Sequence, residues 1–205
     1  MTSIFDLSFQ HEDIDSKIAA ALERLSQTFR VLLWEKTKAH NLSPIQIQIL
    51  VYLLYHSQEA PTIGQIASRF SLTPATVSDT VKTLSNKSLV TRQAGVHDRR
   101  ATSVVLTESG TKIAKKLAAW ADIIRDHIAR FAPGEKMVVM KFLMHLIETL
   151  QQAGLINIAR MCITCKYFQA LAHPDSETPH YCKLIDKPLG EASLRLDCPD
   201  HEFKP

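Results

Sequence analysis

Between residues 43 and 106 the apolar pattern changes period once, and that change limits what the chain can fold into. Ile47, Leu50, Val51 and Leu54, then Val77, Val81 and Leu84, recur every three or four residues, as one face of a helix requires. After Asn86-Lys87-Ser88 the helical spacing stops. Two runs rich in Thr, Ser and Val follow, over residues 89–93 and 102–106, and these read as strands. The helices also announce their starts. Ser43-Pro44-Ile45-Gln46 puts a serine at the cap, a proline at the first helical position and a glutamine at the third, which predicts a helix through Tyr55. Thr62-Ile63-Gly64-Gln65 repeats the capping pattern before a short helix ending near Phe70. After a turn at Ser71-Leu72, Thr73-Pro74 opens a third helix over residues 74–86. Residues 94–101 are polar and basic, and form the tip of a hairpin between the two strands.

Three helices followed by a hairpin is the order of a winged helix-turn-helix, with the helix-turn-helix over about residues 62–87 and the wing over about 89–106. Long amphipathic stretches flank it. Ile14, Ile18, Leu22, Leu25, Phe29 and Leu32 predict one helix over residues 12–38. Thr107 caps a helix carrying Ile113, Leu117, Trp120, Ile124 and Ile128, Pro133-Gly134 breaks it, and Met137, Met140, Met144, Ile147 and Leu150 mark the last stripe. The fold class expected is therefore mainly α with a small β-hairpin wing. The first helix and the last two carry more apolar surface than a compact lobe of this size needs, which predicts a homodimer.

In such a motif the recognition helix lies in the major groove and directs its N-terminal side chains to base edges. Val77, Val81 and Leu84 take one face, which leaves Thr76, Ser78 and Asp79 to reach bases while Ser71, Thr73 and Lys82 hold phosphates. At the hairpin tip, Arg99 and Arg100 suit the adjacent minor groove, where Arg responds to width and potential. Charge supports a polyanion partner locally. The whole chain is only +3, but residues 61–110 carry six basic groups against three acidic ones. The plainer alternatives are a solvated helix face and, for Asp98 with Arg100, an ion pair that stabilises the hairpin.

The run from Leu72 to Val90, "LTPATVSDTVKTLSNKSLV", and the wing from Asp98-Arg99-Arg100-Ala101-Thr102-Ser103 through Leu106-Thr107-Glu108-Ser109-Gly110 resemble the MarR family of bacterial transcriptional regulators. The resemblance covers about residues 12–152. It implies a homodimer with interleaved N- and C-terminal helices, two winged lobes on a pseudo-palindromic duplex operator, and most often repression. By carry-over, Arg100 matches the family's wing arginine, Arg99 a second contact, and Asp98 the acidic residue that fixes the wing tip. It also implies a small-molecule effector held in a crevice beside the dimer helices. Trp34, His40, Tyr52 and Trp120 could line such a crevice, although aromatics at helical spacing commonly belong to the core.

The end of the chain departs from the family pattern. All four cysteines lie within residues 162–198, in a stretch also rich in Pro, His and Asp, so a second module is expected over residues 154–205, after the DNA-binding and dimerisation domain of residues 1–153. Cys162-Ile163-Thr164-Cys165 has the two-residue spacing that lets two thiolates bind one tetrahedral ion, and Cys182 and Cys198 would complete a four-thiolate site. Zinc is the ion expected, because it would staple a tail too small to bury its own core. Cys198-Pro199 keeps an iron–sulfur cluster as the alternative. His180 and His201 could replace a cysteine or support one, and uncoordinated thiols are the plain alternative.

The sequence argues against two further classes of function. A metalloenzyme would need an open coordination position, which four cysteines do not leave, and no nucleophile–base pair or phosphate loop occurs elsewhere. An adaptor that retains the fold without binding DNA would have lost its basic wing tip, and this tip is intact. With 45% hydrophobic and 22% charged residues the composition excludes disorder. No apolar run approaches the roughly 18 to 20 residues of a membrane span, and the first residues lack a basic segment followed by an apolar one, so a cytoplasmic protein without membrane contact is expected.

Overall fold

The computed structural model describes residues 3–7, 13–57, 60–94 and 102–204. It divides into two compact units, one of residues 1–57, 80–93 and 104–125, the other of residues 58–79, 94–103 and 126–205. The elements run α1 (Ile14–His40), α2 (Pro44–Tyr55), α3 (Ile63–Arg69), α4 (Pro74–Asn86), the hairpin strands β1 (Val90–Ala94) and β2 (Thr102–Leu106), then α5 (Glu108–Leu117), α6 (Asp122–Ile128) and α7 (Pro133–Gln152). A three-stranded antiparallel sheet follows, of β3 (Phe168–Gln169), β4 (His180–Cys182) and β5 (Lys187–Leu189). The protein is mainly helical with a small hairpin, as its sequence predicts.

In the first unit, the Asp13 carboxylate accepts the Ser16 N–H at 2.8 Å and caps α1, and its pKa is held down first by the Ser16 side chain and then by this N–H. The helix stops two residues beyond the predicted end, where Asn41 takes the left-handed conformation (φ 50°). Ser43 and Gln46 form the expected capping box at α2, which buries Ile47, Ile49, Leu50 and Leu53 as the centre of this unit's core. Helix α5 packs on α2 and adds Ala114 and Leu117.

One joint sets the direction of three elements. At the end of α4, Ser88 (φ 56°) donates its N–H to the Ser85 carbonyl and Leu89 donates to the Leu84 carbonyl, the double bond pattern that closes a helix at a left-handed residue. The Leu89 carbonyl then accepts the Thr107 N–H at 3.1 Å, and the Thr107 hydroxyl donates to the Ser88 carbonyl at 2.7 Å while accepting the Gly110 N–H at 2.9 Å. Glycine is required at 110. A Cβ there would stand 1.8 Å from the Leu89 carbonyl oxygen.

The sequence predicts one unbroken helix from Thr107 to Pro133, and here the structure differs. A 3-10 segment (Ala118–Ala121) separates α5 from α6, and it carries Trp120 edge-on to Phe29 at 6.0 Å. A period of three or four residues fits both helix types, so the apolar spacing could not register the change.

The second unit holds α3, the first turns of α4, α7 and the tail. Thr62 and Gln65 cap α3 reciprocally, and Thr62 bridges to Ser103 at the start of β2. At the other end Ser71 is left-handed (φ 52°), and the N–H groups of Ser71 and Leu72 return to the carbonyls of Ser68 and Ala67. Thr73 caps α4 by accepting the Thr76 N–H at 3.2 Å. Gly154 (φ 74°) closes α7 in the same manner as Ser88 closes α4. In the tail, Phe168 pairs with Cys182, and His180 with Leu189. Met144, Ala159 and Met161 form a small core with Met140, Ile147, Ile163 and Leu194 packed against it.

Gly110→Ala is expected to lower the unfolding free energy by at least about 2 kcal/mol, because the clash is with backbone that cannot turn away. Urea denaturation of the two proteins checks this, and an unchanged midpoint would remove the joint from the account.

Candidate nucleic-acid interface and thiol cluster

The turn between α3 and α4 is built from two serine and threonine devices. Ser71 supplies the left-handed residue, and Thr73 supplies the cap, its hydroxyl also 2.9 Å from that of Thr76. Both side chains are exposed, as are Thr76 and Asp79, while Ser78 is half-buried. Further along the same helix Lys82 is exposed and Val81 and Leu84 are fully buried. The predicted split of α4 into a buried apolar face and an accessible polar one is therefore present. Thr73 departs from its expected part in one respect, since its hydroxyl is committed to the cap before any phosphate arrives. Asp98, Arg99 and Arg100 lie outside the described residues.

The cysteines of the tail are held from three directions. Cys162 begins a 3-10 turn (Cys162–Thr164) and Cys165 closes it, donating its N–H to the Cys162 carbonyl at 3.0 Å. Cys182 ends β4, and Cys198 donates its N–H to the Arg160 carbonyl at 2.9 Å. The Arg195 N–H donates to the Cys162 sulfur at 3.1 Å, and the Arg195 guanidinium approaches the Cys198 sulfur at 3.7 Å.

Burial pushes the Cys162 thiol up. The Arg195 N–H pulls it back, and negative charge on Cys198, Cys182 and Cys165 raises it further. Among the described residues, however, no three or more His, Cys, Asp or Glu side chains form a group that could hold a metal ion. The donor set thus has the chemistry of a soft cation's site without the spacing of a closed one.

The two histidines have other partners. His201 Nε2 lies 2.9 Å from the Thr164 hydroxyl, and burial holds its pKa below the ordinary imidazole value. His180 Nδ1 accepts the Leu171 N–H at 3.2 Å, and its ring tilts over Phe168.

Sequence reading missed a bridge beside the thiols. The Asp197 carboxylate takes two bonds from the Arg160 guanidinium, both at 2.7 Å, and a third from Arg69 at 3.3 Å. Arg69 is the last residue of α3, so the residue before Cys198 is tied to the helix-turn-helix. An acidic residue beside a cysteine is visible in a sequence, but a partner more than a hundred positions away is not.

Of the aromatics considered for an effector crevice, Trp120 is paired with Phe29, and Tyr52 stacks on His56 at 4.2 Å. Trp34 is exposed and His40 half-buried.

Residues 40–101 match the family model described as MarR family. Over this segment the chain is similar to the MarR family. Among curated proteins it is 27% identical over 139 residues to the transcriptional regulator ZitR of Lactococcus lactis subsp. cremoris (strain MG1363), covering 66% of this chain and 94% of that one. The HTH-type transcriptional repressor MdtR of Bacillus subtilis (strain 168) is 25% identical over 143 residues, covering 70% and 89%. Among solved structures, S. aureus MepR in a DNA-binding conformation superposes with a TM-score of 0.60 at 22% identity, over 65% of this chain and 98% of MepR. The MepR–DNA complex gives 0.58, with 65% and 97% covered. These likenesses show the winged-helix fold. Both curated relatives are named as transcriptional regulators. Nearly the whole of each relative is spanned, yet a substantial part of this chain has no counterpart in them. Among the described residues no helix is long and apolar enough to cross a membrane.

Because the Cys162 pKa is raised, the native tail favours the protonated thiol. Its stabilising share is complete below the thiol's ordinary range and is lost as pH rises through the raised value. In metal-free protein, alkylation of Cys162 by iodoacetamide is expected to accelerate at higher pH than that of a free cysteine peptide. A coincident pH profile would contradict the burial of this thiol.

Proposed function

We propose that this chain is a MarR-family regulator that binds duplex DNA sequence-specifically as a homodimer, most simply as a repressor on a pseudo-palindromic operator. The observation that carries the reading is the accessible polar face of α4, presented by a turn that is capped at both ends and backed by the buried Val77. Thr76, Ser78 and Asp79 meet base edges, Ser71, Thr73 and Lys82 approach phosphates, and Arg99 and Arg100 enter the minor groove with Asp98 steadying the wing. The MepR–DNA complex supports this use of the fold.

The dimer is supported by apolar side chains for which one copy provides no cover. Leu25 and Trp34 on α1 are 52% and 56% exposed, and Val138 and Val139 on α7 are 69% and 55% exposed. A small-molecule effector remains part of the family reading. Residues 154–205 form the added module, in which Cys162, Cys165, Cys182 and Cys198 would hold one zinc ion, with an iron–sulfur cluster as the second reading. The charge that the other three sulfurs place on Cys162, and the Arg195 bonds to the sulfurs of Cys162 and Cys198, support it. Bound there, the ion supplies a cross-link that closes the tail. A cytoplasmic location follows from this work on DNA.

Changing both Arg99 and Arg100 to Ala is expected to weaken operator binding by at least about tenfold at moderate salt, on the scale of charge-assisted contacts. Fluorescence anisotropy with a folded double variant decides this, and equal affinity would move the minor-groove contact elsewhere. For the tail, protein purified without oxygen is expected to carry about one zinc per chain and no colour. Chelation, or Cys165→Ser, should expose the tail to protease while the first unit stays folded. Brown protein would replace zinc by a cluster, and metal-free protein with a protected tail would defeat both.

A further inference from the structure

We propose that a cavity of about 340 Å³ between α7 and the cysteine-rich tail binds a small neutral molecule that joins an apolar ring to one hydroxyl group. The cavity lies at the small end of the range for ligand sites, and its walls are apolar: Met144, Ile163, Phe168 and Leu194. None of the aromatics considered for the family's crevice lines it.

Its polar end is built from three side chains. His180 is only 7% exposed, and its Nδ1 accepts the Leu171 N–H, which leaves the ring hydrogen on Nε2. That Nε2 is buried with no hydrogen-bond partner. It faces the Glu191 carboxylate at 3.6 Å, an ion-pair contact longer than a hydrogen bond, and that carboxylate is bound to the Lys141 ammonium at 2.6 Å. A buried donor without a partner is rare in native proteins and marks a place where something else accepts the bond.

The identity of the guest follows from the charges. Lys141 and Glu191 neutralise each other, so the polar end offers one N–H donor beside one carboxylate acceptor. A hydroxyl matches both, accepting from His180 Nε2 and donating to Glu191. A carboxylate would face Glu191 with like charge, and a plain hydrocarbon would leave the imidazole N–H unsatisfied. The apolar walls hold the ring, with the Met144 thioether and the Phe168 ring suited to an aromatic one.

The site is independent of the DNA reading, and a failure of operator binding leaves it untouched. The test uses the full chain with ¹⁵N-labelled histidine and follows the His180 Nε2–H resonance while benzyl alcohol, toluene and benzoate are titrated. Benzyl alcohol is expected to shift that resonance saturably and to bind at least about tenfold more tightly than toluene or benzoate. In His180→Phe, with binding followed instead through the Met144 methyl resonance of ¹³C-methionine-labelled protein, the alcohol and toluene should bind within about twofold of each other. Since loss of His180 could disturb the tail, Ala170→Trp provides a second variant. Ala170 is exposed at the cavity, so Trp there blocks it without touching the core, and should abolish the saturable shift while the His180 resonance persists. The proposal is overturned if benzyl alcohol gives no saturable shift, if toluene or benzoate binds as tightly, or if binding survives Ala170→Trp.

Discussion

The Leu89 carbonyl is the point on which the winged helix turns. It receives the Thr107 N–H, stands against a glycine that no larger residue can replace, and follows directly on the left-handed Ser88 that ends α4. The end of the recognition helix, the start of the first wing strand and the start of α5 are thereby fixed at one place. The Leu-Thr-Glu-Ser-Gly run acquires a physical explanation: Thr107 serves two helices at once, and Gly110 admits the backbone that passes it.

The tail poses a different problem. Its strands have two or three residues, and its apolar core is Met144, Ala159 and Met161 with a few partly buried neighbours. So little buried area offsets only part of the entropy of ordering the segment, which is the situation in which small modules add a metal or a disulfide. Polar links supplement it. Lys141 reaches Glu191, Lys166 and Tyr167 both reach Glu202, and Asp197 gathers Arg160 and Arg69. The Lys166–Glu202 pair is largely exposed and of small worth, whereas the two-bond Arg160–Asp197 contact is half-buried and fixes the chain beside Cys198.

Local signals in the sequence translated directly into structure, and long-range ones did not. The capping boxes at Ser43 and Thr62, the proline starts and the switch from helical to strand spacing each depend on a few adjacent residues, and each appears where it was read. The 3-10 break after Leu117 escaped because its side-chain spacing imitates a helix. Serines 71 and 88 in left-handed turns escaped because glycine is the residue that usually signals such a turn. Strands as short as β3 fall below any periodicity. For the candidate site, the polar face of α4 was legible because its apolar complement was regular. The Asp197 bridge and the cavity at His180 are products of chain folding, joining residues that no spacing relates.

Hydroxyl-radical footprinting of this chain on its operator shows whether two copies of α4 read one face of a duplex. Two protected patches, centred about one helical turn apart and related by the operator's symmetry, are the result expected of a winged-helix dimer. A single unpaired patch, or protection no different from that on unrelated duplex, would contradict it.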